Sequence, residues 1–264
     1  MSKIAEAFGS GKALICFVTG GDPDLETTEE LVAAMAGAGA AIVEIGVPFS
    51  DPVAEGPVIQ GANARALASG TTLDALFATV RRIRARTGVP IAFLTYLNPV
   101  FRYGYGEFFA ECERSGVDGI IVPDAPLEEQ GEFKHIARAH GVDVISLIAP
   151  TSGDRVERIA READGFVYMV SSLGVTGVRD GMPPRVGEAV AEIRRFTEAP
   201  VAIGFGIGTP GQAAEAASIA DGAIVGSAIV EIVARLGRGS VGEVGRLVGE
   251  MKKAIDEAGA GGPR

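Results

Sequence analysis

Eight short apolar runs, each followed by a helical pattern, constrain the fold of this chain more than any other feature. The runs are rich in Val, Ile, Leu and Phe and do not alternate with polar residues, as is typical of strands buried on both faces. They cover residues 13–19, 41–45, 90–97, 119–123, 143–149, 165–170, 200–206 and 221–226. The helical patterns cover residues 24–38, 73–86, 107–115, 127–140, 154–162, 185–197, 210–217 and 241–258.

This alternation predicts an α/β fold, a single (β/α)8 TIM barrel with an extra short helix before the first strand. An open doubly wound sheet is the alternative, but no Gly-x-Gly-x-x-Gly follows the first strand. The chain shows no linker or shift in composition, so we expect one domain over residues 1–264. Its Gly-rich end, 258–264, is expected to be a flexible tail.

Net charge and composition limit the classes of partner and the cellular location expected for this chain. The net charge of −10 disfavours nucleic acid and anionic membranes. No apolar run is long enough to span a bilayer, and the first residues lack the apolar core of a signal peptide, so a cytoplasmic location is expected. Cys16 and Cys112 are far apart in the sequence and are interpreted as reduced thiols in or near the core.

Glu44 is the first candidate for chemistry. It lies towards the end of the second apolar run, between Val43 and Ile45. The carboxyl ends of the strands carry the active site in this fold, and an apolar setting raises the pKa of a carboxyl towards the range useful for acid/base catalysis. A surface carboxylate at a strand end is the alternative interpretation.

Two connections are long. Residues 47–70 follow the second strand and carry Asp51 and Glu55, and no helical pattern is evident there. Residues 171–184 follow the sixth strand and are rich in Gly and Ser. Long loops on this face of a barrel commonly close over the site, so 171–184 is expected to be a lid.

Glycines end the last two strands, in the sequences GFGIG (204–208) and VGS (225–227). Glycine after barrel strands 7 and 8 lets backbone N–H groups approach a phosphate, although plain tight turns are the alternative. The pair predicts a phosphate monoester substrate. Metal, Ser-His-Asp and Schiff-base chemistry find no support, since the only histidines, His135 and His140, fall in one helical pattern and no lysine falls on a strand.

These and further motifs resemble those of the tryptophan synthase α chain family over nearly the whole length of the chain. The motifs occur in order: FVTGGDP (17–23), EIGVPFSDP (44–52), YLNPVF (96–101), VPD (122–124), PLEE (126–129), GVTG (174–177), GFGI (204–207) and GS (226–227), with Tyr168 between them. The set is highly specific, because related phosphate-binding barrels share only the last two motifs.

The resemblance implies retro-aldol cleavage of indole-3-glycerol phosphate to indole and glyceraldehyde 3-phosphate. It implies that Glu44 is the acid/base and that Glu55 holds the indole N–H. Substrate binding is expected from the following residues: Phe17, Leu94 and Ile148 around the indole; Tyr168 and Phe205 against the substrate; Thr176 in the lid; and Gly177, Gly206, Gly226 and Ser227 at the phosphate.

The resemblance also implies a partner. The chain itself is expected to need no cofactor or metal, and a PLP-dependent β chain would receive the indole in an α2β2 complex. The docking surface is expected at residues 98–103 and 124–129, with Tyr103 and Tyr105 exposed for contact or, alternatively, packed within their own loop.

One position departs from the family. Well-known members have Asp where this chain has Glu55, and the extra methylene displaces the carboxylate by ~1.5 Å if the backbone is unchanged. Two alternatives to the lyase remain: a chain that has lost efficient chemistry through Glu55 and mainly regulates its β chain, and another phosphosugar-barrel enzyme such as an isomerase. The EIGVPFSDP motif argues against the isomerase.

Overall fold

The computed structural model describes residues 2–149, 151–170, 185–204 and 206–260. Its strands form one sheet of nine, in the order β5-β4-β3-β2-β1-β9-β8-β7-β6, and all recorded pairings are parallel. The strands are β1 (Ala13–Thr19), β2 (Ile42–Gly46), β3 (Ile91–Leu94), β4 (Gly119–Ile121), β5 (Asp143–Val144), β6 (Ser146–Ile148), β7 (Val167–Val170), β8 (Val201–Gly204) and β9 (Gly222–Val225).

The two end strands of that order, β5 and β6, are consecutive in the chain, so the sheet curves into an almost closed ring. The fifth apolar run supplies both of them. It is interrupted at Ile145, whose N–H donates to the carbonyl of Ile120 at 2.8 Å. The predicted (β/α)8 barrel is confirmed.

Helices surround the ring. They are α1 (Lys3–Glu6), α2 (Leu25–Gly37), α3 (Pro57–Ala68), α4 (Leu73–Arg84), α5 (Leu97–Tyr103), α6 (Tyr105–Ser115), α7 (Lys134–Ala139), α8 (Val156–Arg161), α9 (Arg185–Ile193), α10 (Pro210–Ile219), α11 (Ser227–Leu236) and α12 (Val241–Ala260). None of the helices in the described part of the chain is both long and apolar enough to cross a membrane.

The prediction of residues 47–70 as a loop without helix is wrong. Pro57 begins α3, which takes up half of that segment. Proline suits the first position of a helix because its missing N–H has no partner there in any case. The helix buries only Ala62, Asn63 and Ala66, while its large apolar residues Val58, Ile59 and Leu67 remain partly exposed, so it lacks the strong apolar stripe by which amphipathic helices are recognised.

Other helical predictions differ in extent. The predicted helix at 127–140 reduces to a 3-10 turn, Gln130–Glu132, and the short α7, with the poor helix former Gly131 inside the turn. The segments predicted at 154–162 and 185–197 are shorter than expected, whereas α12 continues to Ala260, past the predicted start of a tail at 258. Helices α5 and α11 were not predicted.

The inside of the barrel is filled by a cluster of side chains from alternate positions of the strands, including Ile15, Ile42 and Ile121. Ile4 of α1 belongs to this cluster and is fully buried. Ile4 lies where a Cβ added to Gly119 or Gly165 would meet it, and these glycines begin β4 and precede β7. The predicted N-terminal helix therefore closes the barrel at the amino ends of its strands.

The larger apolar core lies between the barrel and its helices. It contains both cysteines, which are buried and free, in agreement with the prediction of reduced core thiols. The two ends of the barrel are thus distinct: α1 fills one, and the loops that follow the strands surround the other. The second end contains the cavity that the predicted site residues line.

Candidate active site

A cavity of about 410 Å³ opens at the carboxyl ends of the strands. Most of the residues predicted for the site line it: Phe17, Glu44, Glu55, Leu94, Tyr168, Gly206, Gly226 and Ser227. The charged lining residues in the described chain are the three carboxylates Glu44, Glu55 and Glu231. The described lining is therefore suited to acid/base chemistry on an apolar group. It offers no lysine or arginine side chain to bind an anionic group.

Glu44 is the third residue of β2 and faces the cavity, yet only 1% of its surface is exposed. Burial raises the pKa of its carboxyl to about 8. Its Oε1 atom is buried and has no hydrogen-bond partner among the described residues. A carboxyl in this setting is protonated near neutral pH and has a free oxygen for a substrate, which is what a general acid requires.

An apolar wall adjoins Glu44. Phe17 of β1 is its register partner, and Leu94 ends β3 on the other side. Two glycines make room for the rings, because an added Cβ would lie 2.7 Å from the Phe17 ring at Gly46 and 2.5 Å from the Tyr168 hydroxyl at Gly204. The wall has the shape and polarity to receive a flat aromatic group.

Ile148 is the residue that the structure does not bring to this wall. It packs in the core between barrel and helices, and its neighbour Leu147 lines the cavity instead. Successive side chains of a strand point to opposite faces. The sequence prediction chose the wrong parity in this strand.

Glu55 lies in the loop just before α3 and is half-buried. Asn63 donates from its Nδ2 to Glu55 Oε2 at 2.5 Å, and the side chain of Tyr96 also hydrogen-bonds to this carboxylate. Burial raises the pKa of Glu55 above its usual value, while these two hydrogen bonds oppose the rise. Glu55 is consequently held as an oriented acceptor at the cavity wall.

Two glycine turns that the sequence predicts to bind phosphate also line the cavity. Gly226 precedes α11, no side chain caps that helix, and Gly226, Ser227 and Ala228 line the cavity. Gly206 has a φ of +82°, a left-handed conformation that favours glycine. By contrast, neighbouring α10 is capped by its own Thr209 and Gln212. The uncapped N–H groups of α11 are those available to an anion.

Sequence reasoning missed several lining or supporting residues: Asn63, Tyr96, Leu147 and Glu231. The motif YLNPVF contains Tyr96, but nothing in the spacing shows that its hydroxyl reaches a carboxylate about forty residues earlier. Thr176, Gly177 and Phe205, together with the predicted lid at 171–184, lie outside the described residues.

Metal and histidine chemistry have no geometric basis in the described part of the chain. No group of three or more His, Cys, Asp or Glu side chains there could hold a metal ion. His135 is exposed on α7, and His140 pairs with Glu113 at 2.7 Å on the outside of the barrel. Both positions agree with their prediction as surface residues.

Fold and site together define a class: a (β/α)8-barrel enzyme whose cavity contains a buried carboxyl of raised pKa and an uncapped helix N-terminus. The family model "Tryptophan synthase alpha chain" matches residues 5–256. The chain belongs to the tryptophan synthase alpha chain family. Alpha chains of this family cleave indole-3-glycerol phosphate, pair with a beta chain and have no cofactor of their own.

Relatives cover almost the whole chain. The alpha chain of Lacticaseibacillus casei is 48% identical over 97% of this chain and 96% of its own length. That of Geobacter sulfurreducens is 49% identical over 98% and 99%. The crystal structure of the alpha chain from Legionella pneumophila aligns with a TM-score of 0.88 at 34% identity, covering 98% of this chain and 99% of that one.

A structure of the tryptophan synthase complex from Pyrococcus furiosus also matches, with a TM-score of 0.83 and 35% identity over 92% of this chain and 99% of that one. The fold and the family expected from the sequence are both confirmed. The isomerase alternative is excluded, because the matched family is that of a lyase.

Proposed function

We propose that this chain cleaves indole-3-glycerol phosphate with Glu44 as the acid/base, and that it passes indole to a PLP-dependent β chain in an α2β2 complex. The observation that carries the proposal is the buried Glu44 carboxyl, which faces the cavity with a free oxygen and a pKa raised to about 8 by burial. We further propose that residues 1–264 act as one domain in the cytoplasm.

The difficulty of the reaction is that C3 of indole is a poor carbanion leaving group. Protonated Glu44 delivers a proton to C3 and converts the ring into an indolenine that can accept the bonding electrons. The Glu44 carboxylate then takes the proton of the glycerol hydroxyl while the C–C bond breaks and the aldehyde forms. One proton is given and one is taken, so Glu44 ends the cycle protonated.

Glu55 accepts the indole N–H. Positive charge builds on the ring nitrogen when C3 is protonated, and a fixed carboxylate next to it lowers the energy of that state. The hydrogen bonds from Asn63 and Tyr96 hold Glu55 as a carboxylate in one orientation. This arrangement argues against the alternative in which Glu at this position has removed the chemistry.

The rest of the substrate fits the remaining surfaces. Phe17, Leu94, Leu147 and Tyr168 supply the apolar wall for the indole ring, with Leu147 replacing Ile148 of the sequence prediction. The N–H groups at the start of α11 bind the phosphate, with Gly206 providing close backbone approach. Thr176, Gly177 and Phe205 retain their proposed roles in the lid and substrate contacts.

The docking surface is proposed at residues 98–103 and 124–129 of the catalytic face. Phe101 is 65% exposed there, and Val53, in the loop that leads to Glu55, is 78% exposed. Exposed large apolar side chains beside an active site are typical of an interface. A structure of the Pyrococcus furiosus α2β2 complex, described as showing mutual activation, matches this chain at 37% identity with a TM-score of 0.85.

Tyr103 and Tyr105 are not the exposed aromatics that the sequence led us to expect. Tyr103 packs against Phe77 and Phe108, and Tyr105 packs against Phe133. Both are half-buried, so the second interpretation, packing within their own region, is correct. Phe101 takes their place as the aromatic residue available to a partner.

An assay of purified chain with indole-3-glycerol phosphate, with and without β chain, tests the function. We expect indole and glyceraldehyde 3-phosphate in equal amounts, and a faster rate with β chain. Glu44→Gln removes the acid and is expected to stop the reaction while leaving the fold intact. If the wild-type chain forms no indole either with or without β chain, the proposal is wrong.

A further inference from the structure

Tyr96 occupies a junction between the cavity and the docking surface. It lies between β3 and α5, and only 1% of its surface is exposed. Its hydroxyl accepts a hydrogen bond from the N–H of Ala54 at 3.2 Å and makes a hydrogen bond with the Glu55 carboxylate. Since a phenol oxygen that accepts from an N–H still has its own proton to give, Tyr96 is the donor to Glu55.

The Glu55 carboxylate thus has two donors that belong to different parts of the fold. Asn63 is a buried residue of α3, the helix that follows Glu55 directly, and Gln60 of the same helix donates to the Glu55 carbonyl at 2.8 Å. The second donor, Tyr96, lies at the start of a different helix, α5. A shift of α5 relative to α3 must change the orientation of the carboxylate between them.

The helix α5 is also part of the docking surface. Tyr96 immediately precedes it, and the N–H of Leu97 donates to Asp124 Oδ1 at 2.9 Å. This bond joins the residue just before the first segment of the docking surface, 98–103, to the first residue of the second segment, 124–129. Phe101, one turn further along α5, is 65% exposed. A protein that covers Phe101 therefore contacts the helix that directly follows Tyr96, the residue that holds Glu55.

We propose that Tyr96 is the positioning residue through which a β chain seated on this surface acts on Glu55. The inference rests on the proposed function and extends it, because it assigns the coupling between partner and active site to one hydroxyl group. Asn63 holds the carboxylate with and without a docked β chain, and Tyr96 transmits the position of α5.

The test compares Tyr96→Phe with wild type, alone and with saturating β chain. The phenol donor stabilises the charged form of Glu55, so its removal is expected to lower kcat of the isolated chain about 5- to 10-fold and to move the acidic limb of the pH–rate profile to higher pH. The increase in kcat on adding β chain is expected to disappear, with affinity for β chain within about twofold of wild type.

Tyr105→Phe is the matched control. Tyr105 begins α6, its ring packs on Phe133, and its hydroxyl lies 3.4 Å from Glu132. Tyr105→Phe therefore removes the same hydroxyl group in the same region of the protein, but from a tyrosine that has no bond to Glu55. Both basal rate and activation should match wild type. Phe101→Ala supplies the opposite pattern: weaker binding of β chain, unchanged basal kcat, and full activation once β chain is saturating.

The outcomes separate this inference from the proposed function. An inactive wild-type chain removes both. An active wild type whose Tyr96→Phe variant is activated as strongly as wild type overturns the role of Tyr96 and leaves the lyase standing. If Tyr96→Phe does not fold, Asp124→Ala decides, because it releases Leu97 and the start of α5 while keeping the phenol. Full activation of that variant likewise overturns the inference.

Discussion

Phe17 and Glu44 are register partners on adjacent parallel strands, and both side chains line the cavity. The ring lies beside the carboxyl, and the same two strands leave Glu44 only 1% exposed. Removal from water is the cause of its raised pKa. The proposed catalytic acid thus owes its raised pKa to packing, and no second charged group among the described residues contributes to the shift.

The rate of cleavage should depend on pH through Glu44. With a pKa of about 8, the carboxyl is protonated at neutral pH and loses its proton above that value. Because Glu44 must be protonated to act as the acid, kcat/KM is expected to fall about tenfold per pH unit on the alkaline side. Glu55 must be ionised, so activity also falls as the pH drops through its raised pKa. A pH–rate profile measures both limbs, and a flat profile from pH 7 to 10 would exclude Glu44 as the acid.

Glu44→Gln should be inactive and, at high pH, more stable than wild type. The carboxyl titrates near 4.5 when unfolded and near 8 when folded, so the folded state binds the extra proton and stability falls as the pH rises between these values. Glutamine does not titrate, so the variant escapes a loss on the order of a few kcal/mol. Urea unfolding at pH 5.5 and 8.5 measures the difference, and kcat is expected to fall by a factor of about 100 or more. Parallel stability curves for the two proteins would contradict the burial argument.

Glu55→Asp should lower kcat, although aspartate is the residue that the family resemblance implies at this position. Asn63 and Tyr96 are placed to meet a carboxylate at the reach of glutamate, and the shorter side chain withdraws it by ~1.5 Å. A misplacement of that order costs up to about 100-fold in rate. Steady-state kinetics of Glu55→Asp beside Glu55→Gln measures the effect. An aspartate variant as fast as wild type would show that the loop adjusts and that reach is not critical.

Gly204→Ala should damage substrate binding. The new Cβ would lie 2.5 Å from the Tyr168 hydroxyl, and the ring must move because both groups are buried. We expect KM to rise about tenfold. Gly249→Ala is the control: Gly249 is on α12, with nothing within 4 Å of an added Cβ, and alanine there should stabilise the helix by up to about 1 kcal/mol with unchanged kinetics. Equal KM values for the two variants would argue against Tyr168 as a substrate contact.

Ile4→Ala should destabilise the barrel without changing the chemistry. Ile4 is fully buried in the barrel interior, and truncation leaves a void worth about 2–5 kcal/mol. Leu67→Ala on α3 serves as the comparison, since Leu67 is 39% exposed and should cost less than about 1 kcal/mol. Thermal unfolding measures both, and kcat should be unchanged at temperatures where each variant is folded. A lower kcat for Ile4→Ala under those conditions would show that α1 influences the site.

The barrel was predictable because eight apolar runs alternate with helical patterns and no Gly-x-Gly-x-x-Gly supports the open-sheet alternative, and Glu44 was predictable because it interrupts one of these runs with a charge. The same uniform hydrophobicity concealed which face each residue occupies. Leu147 and Ile148 are equally apolar, so the sequence could not show that Leu147 faces the cavity while Ile148 packs outside it.

The support of Glu55 could not be predicted for a different reason. Asn63 contacts Glu55 from α3, a helix that fully buries no large apolar side chain. Tyr96 contacts Glu55 from the segment between β3 and α5. Both contacts depend on how α3 and α5 are packed, which is a property of the tertiary structure. Hydrogen bonds between polar residues far apart in the sequence leave no periodic pattern to detect.

The packing of Ile4 in the amino end of the barrel determines where substrate can enter the cavity and where products can leave it. With the amino end of the barrel filled, the cavity is a blind pocket in the described part of the chain, so substrate and both products share one mouth. Glyceraldehyde 3-phosphate and indole must leave past the loops that a docked partner would cover. A partner seated there would receive indole before bulk solvent does, and the order of product departure would be set by which of the two it lets through.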